Sequence, residues 1–412
     1  MREIKAFGPE IIDEYTTLAY NTYPSFKDYS EEGINEFKEL VLIRMNDSNT
    51  QYYGMFDNGE LIGAVRYIEF DMNLYNKMIR SAGIASLAVK LNHKKQRIAK
   101  ELIDFLEDLM LERNIVVSML LPFRLDFYKK MGYGFGTKMN RYRFNPMNLP
   151  KDTQESKIKL IERDDLGGVF ACYNKYMNKT HGMLNKMDEE IFEYETNPQN
   201  LIVANYENDE IDGYILMEFV NGKDDNYTIN HLYIKEFIYN SIDSQRKLLE
   251  FVRKQADQVQ IVIFDTLDDS FSYLIDNPAS DSNNYIPFGY LETNTQAIGN
   301  MYKILDVKKA LEEHIAKSYN NVDTKYRLII QEDSNDQELV VNHDSGSINL
   351  NSTEYDYTIK MHIRDYTVLL LGCTNAQSLF NLGLLEIDNP KYLKEFDLAY
   401  YSSKKPINNT DF

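Results

Sequence analysis

Two stretches of this chain are diverged copies of one another, and the duplication narrows the architectures open to it. Laid beside the first 150 residues, the segment from Ser156 to about Asn284 repeats three landmarks in order. Glu3-Ile4-Lys5-Ala6-Phe7 ahead of a helix matches Lys157-Ile158-Lys159-Leu160-Ile161 ahead of a helix. Asn58-Gly59-Glu60-Leu61-Ile62-Gly63, a hairpin turn entering a strand, matches Asn208-Asp209-Glu210-Ile211-Asp212-Gly213. Lys100-Glu101-Leu102-Ile103-Asp104-Phe105 running into Ile115-Val116-Val117 matches Arg246-Lys247-Leu248-Leu249-Glu250-Phe251 running into Val259 to Ile263. Two α/β units of one type follow.

At about 150 residues per domain, 412 residues make two or three units. Asn145-Pro146-Met147-Asn148-Leu149-Pro150 reads as a linker, because neither proline can donate to a sheet ladder. A second break lies at Asn277-Pro278-Ala279-Ser280-Asp281-Ser282-Asn283-Asn284. Beyond it, a strand, a helix near Val307 to Lys317, short strands from Tyr326 to His362 and helices after Arg364 make an α+β unit that is not a further repeat. The expected division is 1–150, 151–290 and 291–412. Within the last unit, the run Tyr366-Thr367-Val368-Leu369-Leu370-Leu371 reads as a buried helix in preference to the lining of a lipid groove.

The formal charge of −19 excludes a general nucleic-acid binder, which needs a basic face, and suits small cationic ligands. Two cysteines, Cys172 and Cys373, far apart in sequence, offer neither a disulfide framework nor a CxxC knuckle, and fit a reducing cytoplasm. No apolar run approaches the roughly 20 residues that span a bilayer, and the N-terminus has no signal core. A soluble cytoplasmic protein without membrane or nucleic-acid partners is expected.

The segment Ile84 to Gly136 carries most of the chemistry. Leu87, Val89 and Leu91 alternate as on one strand face, and Asn92-His93-Lys94-Lys95-Gln96-Arg97 sets cations at the start of a helix, where unpaired amides suit an anion. That helix places Ile98, Leu102, Phe105, Leu106 and Leu109 on one face, with Lys100, Glu101, Asp104, Glu107 and Asp108 on the other. An apolar strand and Phe127-Tyr128-Lys129-Lys130-Met131-Gly132-Tyr133-Gly134 follow. The second copy differs here: Tyr239-Asn240-Ser241-Ile242-Asp243-Ser244-Gln245 has no cation, and no Phe-Tyr-x-x-x-Gly-Tyr segment follows it. The second unit therefore reads as structural, or as a wall of the first unit's pocket.

These residues resemble the GNAT N-acetyltransferases, and the duplicated unit with its α+β tail, entered through Met301-Tyr302-Lys303-Ile304-Leu305-Asp306-Val307, resembles the enhanced intracellular survival (Eis) family over essentially the whole chain. The resemblance implies two GNAT folds of mixed, mostly antiparallel sheet flanked by helices, only the first active, then a domain of sterol carrier protein type. It also implies hexamers and acetyl-CoA as cofactor. Backbone amides near Leu87 and Val89 are implied to orient the acetyl-pantetheine arm, and the turn Lys94, Lys95, Gln96, Arg97, Ile98 and Ala99 to cradle the pyrophosphate. The family's glycine is missing at Arg97, and the frequent one at Lys95, so these side chains must project outward or bind phosphate themselves. The plainer alternative is a basic helix start that is merely a solvated face.

Tyr128 matches the family's catalytic tyrosine, an acid for a departing thiolate whose solution pKa is about 8.5. Among 31 tyrosines it is singled out by its place after the active-site strand. Eis-type chains end in an aromatic residue whose carboxylate enters the active site; this chain ends in Asp411-Phe412, so the Phe412 carboxylate is the expected proton acceptor and Asp411 adds negative charge for a cationic acceptor. The family's acceptor wall corresponds to Pro24-Ser25-Phe26-Lys27-Asp28-Tyr29, where Phe26 and Tyr29 would sandwich an amine and Asp28 would pair with its ammonium. Tryptophan is absent from the chain, so the wall differs from relatives that use one.

Six histidines form no HExxH and pair with neither cysteine, and no GxSxG or P-loop occurs, so no metal site is expected. The expected function is acetyl-CoA-dependent N-acetyl transfer to a cationic amine, a small molecule or a lysine side chain, by direct attack in a ternary complex. A non-catalytic GNAT scaffold or sensor, binding a lipid or protein through the last domain, is the alternative that the glycine-poor turn favours.

Overall fold

A computed structural model describes residues 2–26, 28–152, 157–163, 165–223, 226–280, 285–286, 289–313, 322–332, 336–344, 346–410 and 412. The first stretch folds as β1 (Arg2–Phe7), α1 (Ile12–Thr22), α2 (Glu31–Asn46), β2 (Thr50–Asp57), β3 (Glu60–Leu74), β4 (Lys77–Val89), α3 (Ile98–Glu112), β5 (Val117–Leu120), α4 (Leu125–Lys130), β6 (Gly134–Phe135) and β7 (Lys138–Phe144). The second runs β8 (Ile158–Ile161), α5 (Gly167–Met177), α6 (Asp188–Thr196), β9 (Leu201–Glu207), β10 (Glu210–Asn221), β11 (Asn230–Tyr239), α7 (Ile242–Arg253) and β12 (Val259–Thr266). The third opens on a small hairpin, β13 (Tyr285–Ile286) and β14 (Tyr290–Leu291), then β15 (Asn294–Ile298), β16 (Met301–Ile304) and α8 (Val307–Glu312). It continues β17 (Thr324–Gln331), β18 (Gln337–Asp344), β19 (Ser347–Asn349), β20 (Tyr357–His362), α9 (Ile363–Leu370), α10 (Ala376–Asn381), β21 (Leu385–Ile387) and α11 (Leu393–Tyr400).

The repeat is realised strand by strand. The first sheet has the order β1-β2-β3-β4-β5-β16-β6, the second β8-β9-β10-β11-β12-β7-β15. The matching hairpins turn through Asn58 (φ 50°) and Gly59 (φ 86°) and through Asn208 (φ 50°) and Asp209 (φ 65°). Two successive positive φ values are what a two-residue hairpin between right-twisted strands requires.

The units expected at 1–150, 151–290 and 291–412 exchange strands. β7, from the first stretch, pairs with β12 and β15 in the second sheet. β16, from beyond residue 291, pairs with β5 and β6 in the first. Each sheet thus has a strand inserted beside its fifth, which closes an otherwise open edge. The third unit holds a separate sheet of order β19-β18-β17-β20-β21. Against it α9 buries Tyr366, Thr367, Leu369 and Leu370, the run read from sequence as a buried helix.

On α3 the expected inner face is buried, with Ile98, Leu102 and Leu106 fully covered. The expected outer face is not all solvated. Glu107 meets Lys303 of β16 at 2.6 Å, their side chains only 13% and 11% exposed. Sequence periodicity places Glu107 outside because the strand that covers it arrives from almost two hundred residues away. Leu91, assigned to the β4 face, lies past the strand end in a short 3-10 turn and is 53% exposed.

The long β3–β4 hairpin reaches across to the other units. Its turn residues Tyr75 (φ 55°) and Asn76 (φ 65°) are both left-handed, and Asn73 is tied to Met177 (2.7 Å) and Met183 (2.9 Å) of the second unit. The Tyr75 ring stacks on His181 at 3.9 Å, and its hydroxyl donates to Leu370 O at 2.9 Å. His181 Nδ1 accepts the Tyr75 amide (3.2 Å), which leaves Nε2 to donate to Leu371 O (2.9 Å), while its carbonyl accepts the Ile407 amide (2.8 Å). All three units and the C-terminal tail meet at this one residue, through its ring and its backbone carbonyl.

Burial lowers the His181 pKa from 6.5 to about 4, the contact with Leu371 O opposing. The folded state thus binds fewer protons than the unfolded between those values, so this contribution is complete above pH 6.5 and is lost as pH falls toward 4. The stability gap between wild type and His181→Gln is expected to narrow by about 2 kcal/mol between pH 7 and pH 5, read from urea melts of both proteins. A gap independent of pH would refute this role.

Candidate active site

β4 and β5 are parallel neighbours over two residue pairs, Ala82 with Ser118 and Gly83 with Met119. Beyond Gly83 the strands separate, opening a wedge in the middle of the sheet. A bulge marks the separation: the β3–β4 register jumps between Ala64–Ala88 and Arg66–Ala85, and Ser86 takes φ 49°. Bulges bend a strand and re-aim its groups. Lys90 N–H donates back to Ile62 O on β3 (2.9 Å). Since amides alternate along an extended chain, Val89 and Leu87 direct theirs away from β3, to the open side of the wedge.

The turn that follows keeps the backbone a glycine would supply without having the glycine. Lys95 and Arg97 both sit at φ 65°, and Arg97 is the N-cap of α3 with no side-chain cap. The left-handed conformation costs an L-residue roughly 1–2 kcal/mol, a strain that persists where surrounding structure enforces it. Lys94, Lys95, Gln96 and Arg97 are exposed, and Ile98 and Ala99 open the helix. Gln96 accepts from Arg2, whereas Lys94, Lys95 and Arg97 enter no ion pair among the described residues. Three cations without an ion pair among the described residues thus stand at a helix start in a strongly acidic chain, a place whose charge and helix-start amides suit an anion.

Tyr128, on α4, is 7% exposed and packed between Phe127 (ring centroids 5.1 Å) and Tyr133 (6.2 Å). Burial first, and the neighbouring Tyr23 hydroxyl second, raise its pKa, so it holds its proton at neutral pH. Its hydroxyl makes no hydrogen bond among the described residues. Tyr133 is instead structural: fully buried, its hydroxyl is shared with Ser118 at 2.7 Å.

Three residues that sequence reasoning missed define the rest of the wedge. Tyr23, at the end of α1, donates to Leu87 O at 2.6 Å and meets Phe123 edge-on at 5.7 Å. Its position just before Pro24, where a helix must end, was the available signal. Ser86 supplies the bulge. Gly83 lies at the wedge apex, where an added Cβ would stand 2.6 Å from the Phe412 ring and 2.9 Å from Phe70.

Phe412 is indeed brought to this place. Its ring packs on Phe70 at 5.1 Å, and the tail before it is pinned by Thr137 donating to Pro406 O (2.7 Å) and by buried Asn408 and Thr410. Asp411, Lys27 and the Phe26 side chain lie outside the described residues. Asp28 and Tyr29 serve the corner before α2: Asp28 accepts from the Ser30 amide (2.8 Å), which holds its carboxyl below the usual range, and Tyr29 lies edge-on to Tyr20 at 5.2 Å. Tyr29 remains 59% exposed.

The second unit lacks this equipment. Its helix α7 starts on Ser241, whose hydroxyl caps Ser244 (3.1 Å) and donates to Asp212 (2.5 Å), with Asp243 in the first turn. Among the described residues no group of His, Cys, Asp and Glu could hold a metal, and no helix is long and apolar enough to cross a membrane.

A family profile described as acetyltransferase (GNAT) domain matches residues 9–136, and a second of the same description matches residues 182–295. No curated protein matches the sequence. The fold is similar over the full length of both chains to a GCN5-related N-acetyltransferase from Anabaena variabilis (14% identity, TM-score 0.81). It is similar over the same extent to a probable N-acyltransferase of unknown function from Enterococcus faecalis (17%, 0.79) and to Eis1 from Mycobacterium abscessus (15%, 0.77). The chain belongs to the GNAT acetyltransferases, with two such domains in tandem within an Eis-like fold.

Proposed function

We propose that the first unit transfers an acetyl group from acetyl-CoA to a cationic amine by direct attack within a ternary complex. The observation that carries this is the coincidence, at one wedge, of outward strand amides, an uncommitted basic helix start and a buried protonated phenol. Acetyl-CoA supplies the activated acetyl group and leaves as the thiol. Val89 N–H donates to the thioester carbonyl oxygen as charge develops there, and Lys94, Lys95 and Arg97 with the first amides of α3 hold the pyrophosphate. The Phe412 carboxylate takes a proton from the ammonium, freeing the nitrogen to form the new C–N bond. As the C–S bond breaks, Tyr128 gives its proton to sulfur; the acylated nitrogen sheds its second proton, which restores the phenol through solvent, while the Phe412 carboxyl passes the first to solvent, so one proton is released per turnover.

The missing glycines, which favour the non-catalytic alternative, count for less once Lys95 and Arg97 are seen to adopt the glycine-like backbone. Acidic overall charge supports a cationic acceptor. The five-stranded sheet with its helices supports a sterol carrier protein type for the third unit. The test is release of free thiol from acetyl-CoA with a panel of polyamines and aminoglycosides. Release should require amine, with initial-rate lines that intersect; parallel lines, or an isolable acetyl-enzyme, would contradict direct transfer.

A further inference from the structure

The second unit repeats the wedge but furnishes it differently. β11 and β12 run parallel through the pair Ile234–Phe264 and then part, leaving Lys235 to Tyr239 without that partner. A cavity of about 80 Å³ sits in the gap. Phe237, Phe264 and Phe271 pack on one another there (6.1 and 4.8 Å), where a pantetheine arm would run in the first unit. With acid and no cation at the start of α7, this wedge cannot be a second CoA site.

What lines it is aromatic and anionic. Tyr239 faces Phe237 at 5.0 Å and Tyr176 at 6.1 Å. Three carboxylates reach the lining, and two are spent: Asp265 on Arg141 (2.7 Å) and Tyr233 (2.9 Å), Glu236 on Lys186 (3.0 Å), Tyr194 and Tyr214. The one lysine of the lining, Lys235, is held by Glu218 (2.9 Å) and Asn200 (2.9 Å). The third, Asp268, accepts the Ser270 amide at 2.8 Å, lies close enough to Tyr176 and Tyr239 to raise their pKa values, and enters no ion pair among the described residues. A carboxylate set among ring faces recognises an ammonium ion. The remaining wall is the C-terminal tail, through Ile407 and Asn409.

The geometry points to a binding site for a small organic ammonium ion in the second wedge, whose occupancy orders the tail that carries Phe412 to the first. It is separate from the acceptor site and does not depend on catalysis in the first unit. n-Propylammonium chloride, titrated calorimetrically into Tyr128→Phe protein, should show, apart from any binding at the acceptor site, a saturable site that Asp268→Asn weakens at least tenfold and Asp28→Asn leaves unchanged. Asparagine keeps the oxygen that accepts the Ser270 amide, so a matching melting temperature certifies the fold. 1-Propanol, of the same size without charge, should not bind. Saturation should also slow amide hydrogen exchange at residues 407–410 in the Asp268-containing protein alone. Equal affinity with and without the Asp268 charge, or exchange in the tail indifferent to ligand, would overturn the proposal.

Discussion

Phenylalanine in place of Tyr128 should lower turnover by roughly 10- to 1000-fold, about 1.4–4 kcal/mol of transition-state stabilisation, while acetyl-CoA affinity stays the same. The substitution removes one oxygen that makes no hydrogen bond among the described residues, so the ring keeps its packing on Phe127 and Tyr133. The raised pKa suits the proposed role: a phenol that keeps its proton at neutral pH is fitted to give it to sulfur, not to take one from the amine. Thiol release measured at saturating acetyl-CoA and amine reads the effect directly. Undiminished turnover would remove Tyr128 from the mechanism.

Deleting Asp411 and Phe412 should cost about 100-fold in turnover at neutral pH, because the ammonium then loses its proton acceptor. Two further variants separate the carboxylate from the ring. Phe412→Ala keeps the terminal carboxylate but loses the contact with Phe70 and frees the end of the tail. Gly83→Val leaves the tail's sequence intact and displaces it, since a Cβ at Gly83 would come within 2.6 Å of the Phe412 ring. If position matters as well as charge, both lower activity, and raising pH recovers part of it by deprotonating the amine in solution. A truncated protein with full activity would take the tail out of the chemistry.

What was legible in the sequence was local. The apolar stripe of α3, the cations ahead of it and the phenol after β5 all lie within one segment of about fifty residues, where period and order suffice. The internal repeat likewise surfaced because each copy keeps its own hairpin and helix. What escaped depends on partners distant in the chain. The insertion of β16 beside β5, the burial of Glu107 by Lys303 and the seat of Phe412 on Gly83 pair residues between about 180 and 330 positions apart. Backbone conformation escaped too. Lysine and arginine at positions 95 and 97 read as a departure from a glycine turn, yet the chain holds them left-handed, so residue type alone misstated the local geometry. Ser86 gives no outward sign of a bulge, whereas Tyr23, before a proline, did offer one.

Whether the first wedge holds the acetyl donor decides the proposed mechanism most directly. Calorimetric titration of CoA-free protein with acetyl-CoA should show one site per chain at micromolar affinity. The Lys94→Ala/Lys95→Ala/Arg97→Ala variant should lose most of that binding at low salt, with the difference from wild type narrowing at high salt, because three exposed charges proposed to hold the phosphates go together. Two sites per chain would mean that the second wedge is also a donor site, and no binding at millimolar acetyl-CoA would contradict the assignment of the first.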